Sequence, residues 1–199
     1  MQIIPTIFEK EFRKAQARIM VLEQSTKWIQ IDVSDDVFTL GKTFELELLS
    51  KAETEKVILW DIHLMVKEPE KWLEKCLFVG ASRVSGHVEM MSDREAFVKK
   101  AKDMGMEAGL AFNIETPMDN NIPEETDLIL LMARPAGFMP AKFDEKVFKK
   151  IDPPVGGCHY VFGIDGGVDI LNIQKIIDSG IEIAYSGSSY YDLIDKNVI

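Results

Sequence analysis

Several apolar stretches of this sequence end on side chains that could move protons or hold a cation. Asp32 closes WIQID, His63 lies in DIHLM, His87 and Glu89 in GHVE, and Asp165 in GIDGG. Burying such a group without a partner costs several kcal/mol. Each therefore needs either a structural ion pair or a place in a site. Two carboxylates approaching one carbon from opposite sides suit proton transfer on both of its faces. His63 could bind a metal or polarise a carbonyl. A second set is made of small residues: Gly166 and Gly167 follow Asp165, and Gly187 and Ser188 lie in SGSS. Backbone N–H groups in such turns converge on anions, which points to a phosphate ester. Met65 ends the run that holds His63, and Met132 ends a further one. There a thioether can flank a reactive centre, but spacing alone favours filling the core.

The elements that must position these groups alternate. Strand signals are IIPTIF from Ile3, WIQIDV from Trp28, VILWDIHLM from Val57, RVSGHV from Arg83, EAGLAFN from Glu107, LILLMA from Leu128, YVFGID from Tyr160 and IEIAYS from Ile181. Most are continuous apolar runs, the pattern of parallel strands buried on both faces. Between them Phe12, Ala15, Ile19 and Leu22 share one helical face. A helix starting at Ser92, with Glu95 completing a capping box, stops at Gly105, and another opens near Asp169 and ends at Gly180. Shorter helices are expected around Phe44–Lys51 and Glu68–Leu77, with weak ones after strands five, six and eight. Eight such units with right-handed crossovers predict an α/β chain folded as a (β/α)8 TIM barrel over residues 1–199, one domain. The alternative is an open doubly wound sheet, but no G-x-G-x-x-G follows the first strand. In a barrel Asp32 and Asp165, on strands two and seven, meet across the mouth, and the glycines sit in the loops that commonly hold phosphate.

Composition narrows the function classes. The 199 residues are 46% hydrophobic and 28% charged, as in an ordinary folded protein, and 33 acidic against 23 basic residues give a formal charge of −10. Such a chain repels nucleic-acid backbones. Cys76 and Cys158, the two cysteines, form no disulfide framework or metal spacing. The longest apolar run, LILLMA, is far short of a membrane span, and MQIIPTIFEKEFRK has no apolar core of signal-peptide length. The expectation is a cytoplasmic protein without nucleic-acid or membrane partners.

Taken in order, IIPTIFEKEF, WIQIDVSDDVF, DIHLMVKEPEKWLEKC, GHVE, GLAFNIETP, LLMARPAGFMPAKF, GIDGG and SGSSYYD resemble the ribulose-phosphate 3-epimerase family over nearly the whole chain. That resemblance implies a barrel isomerase of the pentose phosphate pathway. It would interconvert D-ribulose 5-phosphate and D-xylulose 5-phosphate at carbon 3, with Asp32 and Asp165 as acid and base. It implies a divalent metal, zinc, manganese or iron, on Asp32, His63 and Asp165. Gln30 is the weak fourth ligand: it stands where the family has histidine, and its amide oxygen suits zinc less well than an imidazole nitrogen. Substrate and phosphate would meet Thr6, Met65, Met132, Gly137, Gly166, Gly167, Gly187 and Ser188.

Departures from the family gather at the same mouth. Ser34 replaces methionine, Glu9 serine, Asp36 glycine and Gly41 asparagine. In MARPAGFMPAKF, Gly137, Phe138 and Lys142 survive, while Met139 and Pro140 replace glycines and should stiffen the loop. The helices after strands six and eight are shortened, with DPPVGGCHYV replacing a longer connection, so a partner subunit, such as a second copy of the chain, or the chain end itself is expected to cover the gap. Two alternatives stay open: the same barrel acting on another sugar phosphate, and a non-catalytic sugar-phosphate-binding barrel. A related decarboxylase or aldolase is disfavoured, because the Asp-x-Lys-x-x-Asp arrangement reads IDVSDD here, without the lysine.

Overall fold

A computed structural model describes residues 1–137, 141–151 and 160–195. The eight strands are β1 (Gln2–Ile7), β2 (Trp28–Ser34), β3 (Leu59–Met65), β4 (Ala81–His87), β5 (Glu107–Phe112), β6 (Leu128–Met132), β7 (Val161–Asp165) and β8 (Ile183–Ser186). Each pairs in parallel with the next, and β8 returns to β1 to close the barrel. The apolar runs are continuous because both strand faces are covered. Outward residues such as Ile31, Ile62, Val84 and Ile164 pack into one apolar cluster with helix residues. Inward residues such as Ile4, Leu128, Leu130 and Ile183 form a second cluster inside the barrel.

The helices are α1 (Phe12–Leu22), α2 (Leu73–Phe78), α3 (Arg94–Asp103), α4 (Ile173–Asp178) and α5 (Tyr190–Asp195). Helix α1 buries Ala15, Ile19 and Leu22, as their spacing predicts. The segment after β2 is a tight 3-10 turn, Leu46–Lys51, and the one after β3 begins with a 3-10 turn, Pro69–Trp72, before α2. Between β6 and β7 the described residues form the 3-10 turn Glu145–Lys150 and no α-helix. Among the described residues, no helix separates β5 from β6. Phe138, Met139, Pro140, Cys158 and most of DPPVGGCHYV lie outside the described residues.

The cap of α3 corrects the sequence reading. Asp93, not Ser92, is the N-cap, and its carboxylate accepts from the backbone N–H of Ala96. Glu95 is then one position too early to close a capping box. Ser92 instead donates its hydroxyl to Glu68, which takes a left-handed φ of 50°. Helix α4 also starts later than expected, with Asn172 preceding it, while Asp169 makes the turn before it by accepting from Leu171 N–H. Gly105 and Gly180 end α3 and α4 at positive φ.

On the amino-terminal side of the mouth, the interior is plugged by a buried ionic cluster. Arg83 on β4 donates to Asp61 on β3 at 3.1 Å and to Tyr185 on β8 at 3.2 Å. Tyr185 itself donates to Asp61 at 2.6 Å. The guanidinium also pairs with Glu107 at 2.6 Å and stacks on Trp28. β4 is thereby tied to four other strands through one cation. Removing one partner of a buried ion pair costs about 3 to 5 kcal/mol, because the other charge is left stranded. Arg83→Met is therefore expected to lower unfolding stability by about 3 kcal/mol, read from urea denaturation. A loss below about 1 kcal/mol would show that the cluster does not hold the barrel together.

Candidate active site

The carboxyl ends of β2, β3 and β7 bring three ionisable groups together. Asp32 and His63 are register partners on neighbouring strands, and Met132 on β6 is the partner of Asp165 on β7. His63 Nδ1 lies 2.9 Å from an Asp32 oxygen and 3.6 Å from an Asp165 oxygen. Asp32, His63 and Asp165 are all buried, and one potential ligand atom from each lies within 4.8 Å of the others. The two carboxylates do not merely face one another across the mouth; they converge on one imidazole nitrogen.

Burial and the neighbouring Asp32 charge push the Asp165 carboxyl up to about 7, against the pull of His63 and Arg134. A group so poised exchanges protons readily near neutral pH. For His63, burial disfavours the charged ring, but the Asp32 hydrogen bond and the surrounding carboxylates outweigh it and raise its affinity for a proton.

The mouth opens into a cavity of about 840 Å³. It is lined by Thr6, Asp32, His63, Met65, Met132 and Asp165, and further round by Gly137, Gly167, Gly187 and Ser188. These are the residues that the sequence put forward, brought to one place. Gly166 is not part of this lining and is shaped by its neighbour: a Cβ there would come 2.7 Å from Arg134 Cγ, and its φ is 108°. Only glycine fits. Gln30, two residues before Asp32 on the same strand face, is completely buried. Its amide oxygen and nitrogen have no hydrogen-bond partner among the described residues.

The family departures take definite places. Asp36 keeps the left-handed backbone that a glycine would adopt, at φ 66°. Ser34 is tied to Thr39 through a 2.7 Å hydroxyl contact, and Thr39 in turn abuts Gly137. Ser34 thus braces the loops rather than substituting for a ligand. Glu9 is paired with Arg18.

Sequence reasoning missed Arg18 and Arg134, which both line the cavity. Arg134 had a visible signal, a cation immediately after the apolar run LILLMA. Arg18 had none, since it reaches the mouth from α1 by donating to the Thr6 carbonyl. His87 and Glu89, singled out from the sequence, do not line the cavity. His87 Nε2 lies 3.0 Å from His63 Nε2, and His87 Nδ1 lies 3.0 Å from Glu89. Burial pushes the His87 ring down to about 4, so it is neutral. Burial alone would raise Glu89, but the hydrogen bonds from His87, Thr116 and the Asn113 N–H bring it to about 2.

A closed parallel barrel with its polar cluster and glycine turns at the carboxyl ends defines the chain as a TIM-barrel protein of the kind that carries its site on the strand-to-helix loops. Solved structures agree on the fold. A mutant tryptophan synthase alpha-subunit from Pyrococcus furiosus superposes with a TM-score of 0.71 at 12% identity, covering 98% of this chain and 90% of that one. Phosphoribosyl anthranilate isomerase from Thermus thermophilus gives 0.66 at 12% identity, covering 95% and 88%. Residues 2–191 match the model of the Ribulose-phosphate 3 epimerase family, and the chain belongs to that family of isomerases. Among its relatives, ribulose-phosphate 3-epimerase of Buchnera aphidicola subsp. Baizongia pistaciae is 30% identical over 89% of this chain and 82% of its own length. The Bacillus subtilis enzyme of the same name is 26% identical over 98% and 94%.

The raised Asp165 carboxyl has a consequence for stability. The folded state holds that proton more tightly than the unfolded chain, so its contribution is complete below about pH 4 and is lost as pH rises towards about 7. Asp165→Asn cannot ionise. With a chelator present, the variant should match the parent near pH 4 and exceed it by on the order of 4 kcal/mol at pH 8. Urea denaturation across that range checks this, and parallel stability curves would contradict it.

Proposed function

We propose that the protein epimerises carbon 3 of a ketopentose 5-phosphate, interconverting D-ribulose 5-phosphate and D-xylulose 5-phosphate. The observation that carries this reading is the convergence of Asp32 and Asp165 on His63 within 4.8 Å at the base of the cavity. One carboxylate removes the carbon-3 proton and the other delivers a proton to the opposite face. Asp165, poised at about 7, changes protonation state at little cost near neutral pH. The sugar phosphate would lie with its phosphate against Gly167, Gly187 and Ser188, Gly166 making room for the turn, and with Thr6, Met65, Met132 and Gly137 along its length. Arg18 adds a positive charge to this lining in a chain that is acidic overall.

A divalent cation fits this arrangement. Two carboxylate oxygens and an imidazole nitrogen form a mixed oxygen and nitrogen donor set suited to zinc, manganese or iron. The buried, unpartnered amide of Gln30 leaves one more oxygen without a hydrogen bond in the same region. Asp32, His63 and Asp165 would hold the ion, with Gln30 as the weak fourth candidate. When bound it would act as a Lewis acid on the negative charge that builds on the ketose oxygens.

A second reading, the same proton transfer on another sugar phosphate, is favoured by Arg134 lining the cavity beside the rewritten loop. A non-catalytic barrel is disfavoured by the survival of all three buried ionisable groups in mutual contact. A second copy of the chain stays a proposed partner; Met20 and Val21 on α1 and Leu77 and Phe78 on α2 expose apolar surface, away from the shortened segments after β6 and β8.

Asp165→Asn should lower turnover of ribulose 5-phosphate by about 10²- to 10⁴-fold while calorimetry still detects substrate binding. Retained turnover would remove Asp165 from the reaction. A panel in which a different ketose phosphate outperforms ribulose 5-phosphate would shift the assignment to the second reading.

A further inference from the structure

His87 and Glu89 touch neither the cavity nor the carboxylates, yet they complete an unbroken series of contacts. Glu89 lies 3.0 Å from His87 Nδ1, the two Nε2 atoms of His87 and His63 are 3.0 Å apart, and His63 Nδ1 lies 2.9 Å from Asp32. Only one proton can sit between two ring nitrogens at that distance. Its owner decides the tautomer of both rings.

If His63 donates, His87 accepts on Nε2 and carries its own proton on Nδ1, where it donates to the Glu89 carboxylate. Every contact then joins a donor to an acceptor once the bare Nδ1 of His63, which faces two carboxylates, holds a proton or a divalent cation. If His87 donates instead, a neutral ring turns a bare Nδ1 towards a carboxylate, lone pair against lone pair. The way out of that conflict is a second proton on His87, a buried cation facing the one carboxylate of Glu89, whereas a charge at His63 faces both Asp32 and Asp165. Glu89 cannot turn aside to relieve it. Its other oxygen accepts the Asn113 backbone N–H at 2.7 Å, and the residue is fixed in the 3-10 turn Val88–Met90 that directly follows β4. His87 is held by its strand and by the Phe38 ring, whose centroid is 4.6 Å away.

We propose that Glu89, acting through His87, is the positioning group that fixes the tautomer of His63, keeping a proton on Nε2 and turning Nδ1 towards Asp32 and Asp165 to hold either a proton or a divalent cation. This deepens the reading of Asp32, His63 and Asp165 as the reacting cluster and rests on it. Outer partners of a ligating histidine of this kind typically change metal affinity by about 10- to 100-fold.

The test has two readouts, neither of which is turnover. The chain has three histidines, His63, His87 and His159. ¹⁵N-labelled histidine in the chelated protein therefore gives three ring systems, assigned with single substitutions. The expected result is a protonated Nε2 on His63 and a bare Nε2 on His87. A bare His63 Nε2, or a protonated His87 Nε2, overturns the proposal. In Glu89→Gln the side chain can donate as well as accept, so a mixture of tautomers at His87 is expected; an unchanged spectrum counts against a role for the carboxylate.

Cobalt(II) titration by calorimetry is the second readout. Affinity should fall by about tenfold in Glu89→Gln and by up to about 100-fold in His87→Leu, with His87→Gln, which keeps an acceptor, recovering part of the loss. Equal affinities across the three variants would overturn the proposal. Circular dichroism separates misfolding from loss of positioning, and Glu89→Gln, the mildest change, decides if His87→Leu fails to fold. A parent protein that takes up no cobalt would undo the cation reading alone, since the ring spectrum still decides the tautomer.

Discussion

Three ionisable groups sit side by side with little water around them at one end of the barrel, and the molecule is arranged to make that tolerable. An isolated buried charge would shift its proton affinity until it neutralised. Here His63 lies 2.9 Å from Asp32 and 3.6 Å from Asp165, so it offsets the burial of Asp165 while the Asp32 charge adds to it. The same crowding that raises Asp165 to about 7 makes it fit for proton transfer. Reactivity and stored instability are the same fact at this site.

Holding the groups so close requires stiff neighbours. The strand register places His63 between Asp32 on β2 and Ser85 on β4, and a register shift near Trp60 and Asp61 sets which β4 residues meet β3. Below them Arg83 ties β4 to four other strands through Asp61, Glu107, Tyr185 and Trp28. Above them the Gly166 turn lies against Arg134, and Ser34, Thr39 and Gly137 interlock the loops of β2 and β6. The rim is thus braced from both sides, while the cavity it surrounds is large enough for a small phosphate ester.

The sequence made the strands legible because parallel barrel strands are apolar on both faces, and the eight runs became the eight strands. It made Asp32, His63 and Asp165 legible because a charge at the end of such a run demands a partner. Local signals were less reliable where two candidates competed for one role. Ser92 and Asp93 could each cap α3, and the carboxylate won. After β2 and β6 the described residues form the 3-10 turns Leu46–Lys51 and Glu145–Lys150, for which the sequence pattern had no distinct signal. What no local pattern could show was contact across strands: the meeting of His63 with His87 depends on register, and the arrival of Arg18 at the mouth depends on how α1 lies against β1. Gln30 was visible as a departure from the family, but its complete burial without a hydrogen-bond partner emerged only with the fold.

The central claim is that the paired carboxylates move the carbon-3 proton of a ketopentose phosphate. Ribulose 5-phosphate incubated with the protein in deuterated water, and followed by NMR with a chelator and then with zinc, manganese or iron, tests it most directly. The expected result is deuterium at carbon 3 accompanied by xylulose 5-phosphate. No exchange under any of these conditions, with the substrate shown to bind, would contradict it.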